Sequence, residues 1–507
     1  MAPSRRLPSV WLHMVGLSLL FVAAGMVLCA LIDAVRSGHA VGALMASAGL
    51  SAAAGALCFR GSRIPADIRP KEVFIAVSMS WLATSAAGAL PFLLSGLIGR
   101  IDNALFESIS GFTCTGSTVL SSADFDAASP GVLFWRQLTQ WFGGMGIIVL
   151  AIAVLPFLGV GGLGLIRAEA PGPTSDRLAP RVKETAKRLW LVYLGFTALS
   201  IAALMATGIG WFDSAGLAAA LVSTGGFAPE AASVGAYDST IVELILVVGM
   251  IYGGASFTLH YNALRGRPGV YARSSEFRMY LGLILAGTAV VTLLLFNDGF
   301  GFGSAVRSAL FNVVTLATSC GFGNATAAGS AGDFAVWAPA AQVVLLLFMW
   351  VGGMTGSTSG GIKVLRAQVM GRVAWREVIR ARLPHVVHPI KQGSEPLAEP
   401  VVNRIGGFVM LYFLIVISSA LFVTLAGTDV SSGLSGAVSA MGNMGPALGD
   451  AGPTSNFGIY SAPERALLAA LMLVGRLEVF PMTLAVVAAL QRFRSATRRW
   501  VPHRTGS

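Results

Sequence analysis

The chain has 507 residues, 55% of them hydrophobic and 12% charged, with a formal net charge of +11. Soluble domains carry roughly 25% charged residues; this composition leaves too little polar surface to face water and excludes a soluble globular fold. A bilayer is the natural solvent, since a spanning helix needs about 20 apolar residues and such stretches recur along the chain.

Where the charges sit matters more than their sum. Most of the 35 Lys and Arg fall in short clusters: Arg5 and Arg6, Arg60 to Lys71, Arg167 to Arg188, Arg265 to Arg278, Lys363 to Arg404, and Arg492 to Arg504. The hydrophilic stretches between them are acidic, with Asp124, Asp126, Glu230, Asp238, Asp298, Asp333 and Asp450. This alternation reads as membrane topology rather than a nucleic-acid patch. The positive-inside rule places the basic clusters and both termini in the cytoplasm.

Two apolar spans come first, near 11–31 and 40–59, joined by a turn containing Asp33 and Arg36. Arg5 and Arg6 ahead of an apolar run also suit a signal peptide, but the run is long and no good small-residue cleavage site follows. Residues 1–62 are therefore read as a transmembrane hairpin. A pattern then appears four times, over 72–160, 186–265, 276–365 and 402–495. Each unit is a long apolar helix, a shorter apolar segment ending in a Gly-rich polar stretch, and a second long helix. Basic linkers flank every unit, so each crosses the membrane an even number of times and its middle segment must be re-entrant. Non-helical backbone at that depth is tolerated only where protein buries it or it lines a water-filled cavity. The expected fold is an all-α polytopic membrane protein of ten spans, with four helix–pore loop–helix repeats around a pseudo-fourfold pore, preceded by the extra two-helix N-terminal hairpin.

The four short segments end in CTGST, STGGF, SCGFG and NMGPA, aligned on Gly116, Gly225, Gly321 and Gly445. A monovalent cation entering the membrane must exchange its water shell for other oxygens. Rings of backbone carbonyls do this, and glycine permits the dihedrals and the close approach. One such glycine could merely end a buried helix; four at matched places point to a pore. The run VGGMTGSTSGGIK carries Gly352, Gly353, Gly356, Gly360 and Gly361, with Ser357 among them. Five glycines cost about 5 kcal/mol in a helix relative to alanine, so the second helix of the third unit should break in mid-membrane. The run lacks P-loop spacing. Arg476 lies inside the apolar run from Ala466 to Leu490; Glu478 and Glu243 are the other charged residues assigned to spans. A buried arginine there is either functional or half of a structural ion pair. The four cysteines, Cys29, Cys58, Cys114 and Cys320, lack metal-ligand spacing, the six histidines are scattered, and no catalytic set converges. The chain is not expected to be an enzyme or to bind a cofactor.

ALFESISGFTCTGSTVL at 104–120, STGGF, VGGMTGSTSGGIKVLR at 351–366, NMGPALG, and VGRLEVFP at 474–481 together resemble the Trk/Ktr/HKT superfamily of potassium transporters, and its bacterial TrkH type in particular. The resemblance covers nearly the whole chain, and the extra N-terminal hairpin also fits the TrkH type. It implies potassium uptake across the bacterial inner membrane, with potassium as substrate. By the same resemblance, ion-binding backbone lies at Cys114, Thr115, Gly116, Ser223, Thr224, Gly225, Ser319, Cys320, Gly321, Asn443, Met444 and Gly445. Cys114 and Cys320 depart from the more usual threonine or serine, which matters little where carbonyls coordinate. The glycine run resembles an intramembrane gating loop, and the resemblance places Arg476 in the pore beside it. In the plant branch, serine at the place of Gly116 goes with sodium permeation. The implied partners are a second copy of the chain, membrane lipid, and a cytosolic nucleotide-binding regulatory subunit of the TrkA type. The alternative within transport is a sodium-permeable or proton-coupled cation symporter.

Overall fold

A computed structural model describes residues 7–65, 70–158, 178–383, 385–386, 388–393 and 395–477. The described chain is helical apart from two two-residue ladders: β1 (Leu7–Pro8) pairs in parallel with β2 (Ser62–Arg63), and β3 (Lys391–Gln392) pairs antiparallel with β4 (Glu395–Pro396).

Helices α1 (Val10–Val35) and α2 (Val41–Gly61) form the N-terminal hairpin. Asp33, fully buried near the end of α1, accepts from the Ala40 amide (2.8 Å), the Gly131 amide (2.7 Å) and the Ser129 hydroxyl. One carboxylate thereby caps two chain reversals and staples the hairpin to the first unit. Arg36 at the tip stacks on Phe212 of the second unit, 4.4 Å from the ring centre.

The first unit contains α3 (Pro70–Gly88), α4 (Leu90–Leu94), α5 (Ile101–Phe112), α6 (Ser122–Ala127) and α7 (Pro130–Leu158). The second contains α8 (Leu178–Met205), α9 (Trp211–Ser223), α10 (Thr240–Gly253) and α11 (Phe257–Leu264), followed by the short α12 (Val270–Arg273). The third contains α13 (Ser275–Asn297), α14 (Phe302–Ala317), α15 (Pro339–Val351) and α16 (Val364–Arg382). The fourth contains α17 (Glu399–Leu425), α18 (Val430–Gly442) and α19 (Ala462–Arg476). Caps mark the starts that the sequence dictates: Ser274 accepts from the Phe277 amide, Asp429 from the Ser432 amide, and Ser461 with Glu464 forms a capping box.

Among the described residues six helices are long and apolar enough to cross a membrane: Val10–Val35, Val41–Gly61, Glu72–Leu94, Glu184–Met205, Ser275–Asn297 and Glu399–Leu425. The short middle helices α5, α9, α14 and α18 hold 12 to 16 residues. At 1.5 Å per residue that is about 18–24 Å, too short for a hydrocarbon core of about 30 Å. The second helices differ from the expected straight spans. Through their described lengths α7 and α19 run unbroken. In the second unit the chain turns by 99° between α10 and α11, around Gly254. In the third, the expected break is present: α15 stops at Val351 and α16 starts at Val364. Residues 478–495 of the fourth unit, with Glu478, lie outside the described residues, as does the basic cluster from Arg492 to Arg504. One apolar core joins the second, third and fourth units around α9, α14 and α18; another joins the hairpin to the first.

Candidate functional site

Each short helix ends in the same backbone device. The residue after the helix or one beyond enters the left-handed region: Cys114, Thr224, Ser319 and Asn443 have φ of 52°, 51°, 51° and 53°. Their amides bond to Gly111, Leu221, Leu316 and Ala440, and the next amides reach back to Ser110, Ala220, Thr315 and Ser439. This is a Schellman closure with a non-glycine residue at its left-handed position. Such residues store strain of about 1–3 kcal/mol, and strain held at four matched places marks a functional region.

The shared geometry corrects the register of the second loop. Two residues beyond each left-handed position stands a glycine with positive φ: Gly116 (88°), Gly226 (80°), Gly321 (86°) and Gly445 (96°). Gly226, not Gly225, matches the other three. Ser223 falls in the place of Thr113, and its hydroxyl turns back to the Ala219 carbonyl. Serial glycines make this register ambiguous in sequence; only the backbone resolves it.

The glycines also close a ring. A Cβ on Gly116 would strike the Gly225 carbonyl, one on Gly226 that of Cys320, and one on Gly321 that of Met444; one on Gly445 would sit 3.0 Å from the Thr115 oxygen. The loops therefore contact in the order one, two, three, four and back to one, backbone against backbone. Cys114, Thr115, Thr224, Ser319, Cys320, Asn443 and Met444 are all buried. Among the hydrogen bonds of the described residues, none reaches their carbonyl oxygens. Buried carbonyls rarely go unpaired, and a circle of them is suited to accept a desolvated cation. The short-helix C-termini add partial negative charge on the same side.

The segment between α15 and α16 fills the space beneath these loops. The Thr358 hydroxyl donates to the Val222 carbonyl (3.1 Å) and lies 3.3 Å from the Thr224 hydroxyl. Ser359 donates to the Thr318 carbonyl (2.7 Å) and pairs with the Ser319 hydroxyl, which accepts from the Gly360 amide at 2.6 Å. A Cβ on Gly360 would strike the Gly442 carbonyl. From the other side, the Gly254 carbonyl accepts from Met354 and the Glu276 carboxylate from the Thr355 amide (2.6 Å). Gly352, Gly356 and Gly361 all have positive φ. The Ser357 hydroxyl bonds within the segment, to the Met354 carbonyl; Gly353 packs against the Gly254 carbonyl.

Arg476 is buried at the end of α19, and its Nη1 donates to the Thr358 carbonyl at 2.6 Å. The neighbouring Gly475 packs on Met441 O and Asn443 Oδ1. Among the described residues Nε and Nη2 find no partner and Arg476 forms no ion pair. Glu243, by contrast, pairs with Arg307 at 2.9 Å. The sequence reading missed a further charged pair: Glu107 in α5 and Arg136 in α7, both fully buried, 2.6 Å apart. Glu107 also accepts from the Thr118 hydroxyl and the Val119 amide, while Arg136 donates to the Ala228 carbonyl. Both charges are visible inside apolar stretches; their pairing is not. Outside the ring, burial and then neighbouring Asp213 and Asp126 push the Glu230 carboxyl above its ordinary value. Removing one partner of a buried pair costs about 3–5 kcal/mol. Arg136→Met is expected to lower the thermal unfolding midpoint of detergent-purified protein sharply; an unchanged midpoint would mean that Glu107 is not buried as an ion.

Four re-entrant loops closing a carbonyl ring within a helical membrane protein define the class: a polytopic cation transport protein. The family model described as TrkH, cation transport protein, matches residues 43–302 and 301–495. The Trk system potassium uptake protein TrkH of Salmonella typhimurium is 39% identical over 422 residues, covering 82% of this chain and 85% of that protein. The TrkH protein of Halomonas elongata is 34% identical over 95% of this chain and 98% of its own. The crystal structure of the potassium transporter TrkH from Vibrio parahaemolyticus superposes with a TM-score of 0.85 at 32% identity, over 94% of this chain and 97% of that one. The chain belongs to the TrkH family of cation transport proteins; it is a transporter rather than an enzyme.

Proposed function

We propose that this chain takes up potassium through the ring of four loops, which acts as a selectivity filter. The observation that carries the reading is the closed circle of buried carbonyls, of which those of Thr115, Cys320 and Met444 accept from no donor among the described residues. The relatives' names, all potassium uptake proteins, point the same way. The filter positions are Cys114–Gly116, Thr224–Gly226, Ser319–Gly321 and Asn443–Gly445. The 352–363 segment is the gate: it occupies the ion's exit, and Thr358 and Ser359 tie it to loops two and three. Arg476 holds it from the fourth unit. The basic linkers face the cytoplasm of a bacterial inner-membrane protein with both termini inside. They offer charge to anionic lipid and to a cytosolic nucleotide-binding regulator of the TrkA type, and the working unit is a homodimer.

Liposome flux with rubidium, sodium and a pH dye tests the reading. Rubidium uptake exceeding sodium, with no proton movement, is expected. Equal sodium entry or coupled acidification would establish the sodium-permeable or proton-coupled alternative instead. Replacing the glycines between Gly352 and Gly361 with alanine should change total flux and leave the ion preference intact. A changed preference at constant flux would assign the segment to a binding site rather than a gate.

A further inference from the structure

The carbonyls one residue before the ring glycines belong to Thr115, Gly225, Cys320 and Met444. Three of them accept no hydrogen bond among the described residues, but Gly225 O receives the Gln140 side-chain amide, Nε2, at 2.6 Å. The other end of the same side chain, Oε1, accepts from the Phe227 amide at 3.0 Å. Gln140 is fully buried in α7 and thus brackets Gly226 from a different unit. It also explains the doubled glycine of loop two. A Cβ on Gly225 would lie 2.5 Å from Gln140 Cδ and Oε1. In the other loops a side chain of the loop itself stands at this position. In loop two the room is taken by Gln140.

We infer that Gln140 is a specificity-determining positioning residue, setting how strongly the Gly225 carbonyl presents itself to an ion; this rests on the ring being the selectivity filter. A donor on a carbonyl sets a partial positive hydrogen beside the oxygen, which offsets part of the field it offers an ion, and holds its direction. Selectivity in such rings depends on the number and field strength of the coordinating dipoles. A weaker field favours the larger, weakly hydrated cation, so Gln140 tilts the ring toward potassium and rubidium. Removing the donor strengthens Gly225 O and favours sodium.

The test is the rubidium-to-sodium permeability ratio of purified protein in liposomes, with the thermal midpoint measured alongside. Gln140→Met is expected to lower the ratio about fivefold, equivalent to roughly 1 kcal/mol. Gln140→Leu likewise deletes the donor, without adding a titratable group, and should lower it about as far. It decides the matter if the methionine variant does not fold. A ratio within about twofold of wild type, or a loss of both fluxes together at an unchanged ratio, overturns the inference, because a merely structural brace affects amount and rate without changing preference. If wild-type protein shows no preference for rubidium over sodium, the filter reading fails first, before any variant is compared.

Discussion

Arg476→Ala is expected to raise rubidium flux about tenfold or more in liposomes without any regulator, since each 1.4 kcal/mol or so removed from the barrier is a tenfold gain in rate. Two effects act in the same direction. The guanidinium holds the Thr358 carbonyl at 2.6 Å, and hydrogen bonds to charged groups contribute about 1.5–3 kcal/mol. Losing it frees the segment beneath the ring. The charge itself also opposes cations: two like charges about 5 Å apart repel by roughly 3 kcal/mol at an effective dielectric of 20. Water entering an open pore will reduce that value. Because Arg476 forms no ion pair among the described residues, its removal leaves no carboxylate stranded there. The folded protein should therefore lose no more stability than that one hydrogen bond contributes, a small shift in thermal midpoint. Lower stability with no gain in flux would return Arg476 to a purely structural role.

Alanine at the ring glycines should abolish selectivity in a graded manner. Gly116, Gly226 and Gly321 have no room for a Cβ against the next loop's carbonyl, and their φ values of 80° to 88° disfavour any L side chain. Gly445 has the same handedness, but its nearest carbonyl is 3.0 Å away. Gly445→Ala should thus be the mildest of the four. Gly116→Ser pushes Gly225 O aside and should raise sodium relative to rubidium permeability about tenfold, roughly 1.4 kcal/mol of lost discrimination. Relative permeabilities measured across the four variants check the order. An unchanged ratio for Gly116→Ser would remove the first loop from the filter, and a Gly445→Ala effect larger than the others would contradict the packing.

Much of this protein is written in local pattern. Apolar length, the spacing of basic clusters and the four Gly-rich endings each state a requirement that holds residue by residue: spans must be apolar, linkers charged, and tight loops free of Cβ. The helix break at Gly352–Gly361 was legible for the same reason, since helix propensity is a local quantity. The register of loop two was not, because two adjacent glycines satisfy the local rule equally. Nor were the turn at Gly254, the Asp33 staple, the Glu107–Arg136 pair, or the grip of Gln140 on Gly225. Arg136 lies 29 residues from Glu107 and Gln140 lies 85 from Gly225, and nothing local obliges either pairing. Those partners are chosen when the units pack, where a buried charge or carbonyl must find a counterpart within about 3 Å or go unsatisfied. The sequence alone determined which stretches are apolar enough to span and which short segments end in glycine; tertiary packing decided which loop rests on which carbonyl, and which side chain holds it there.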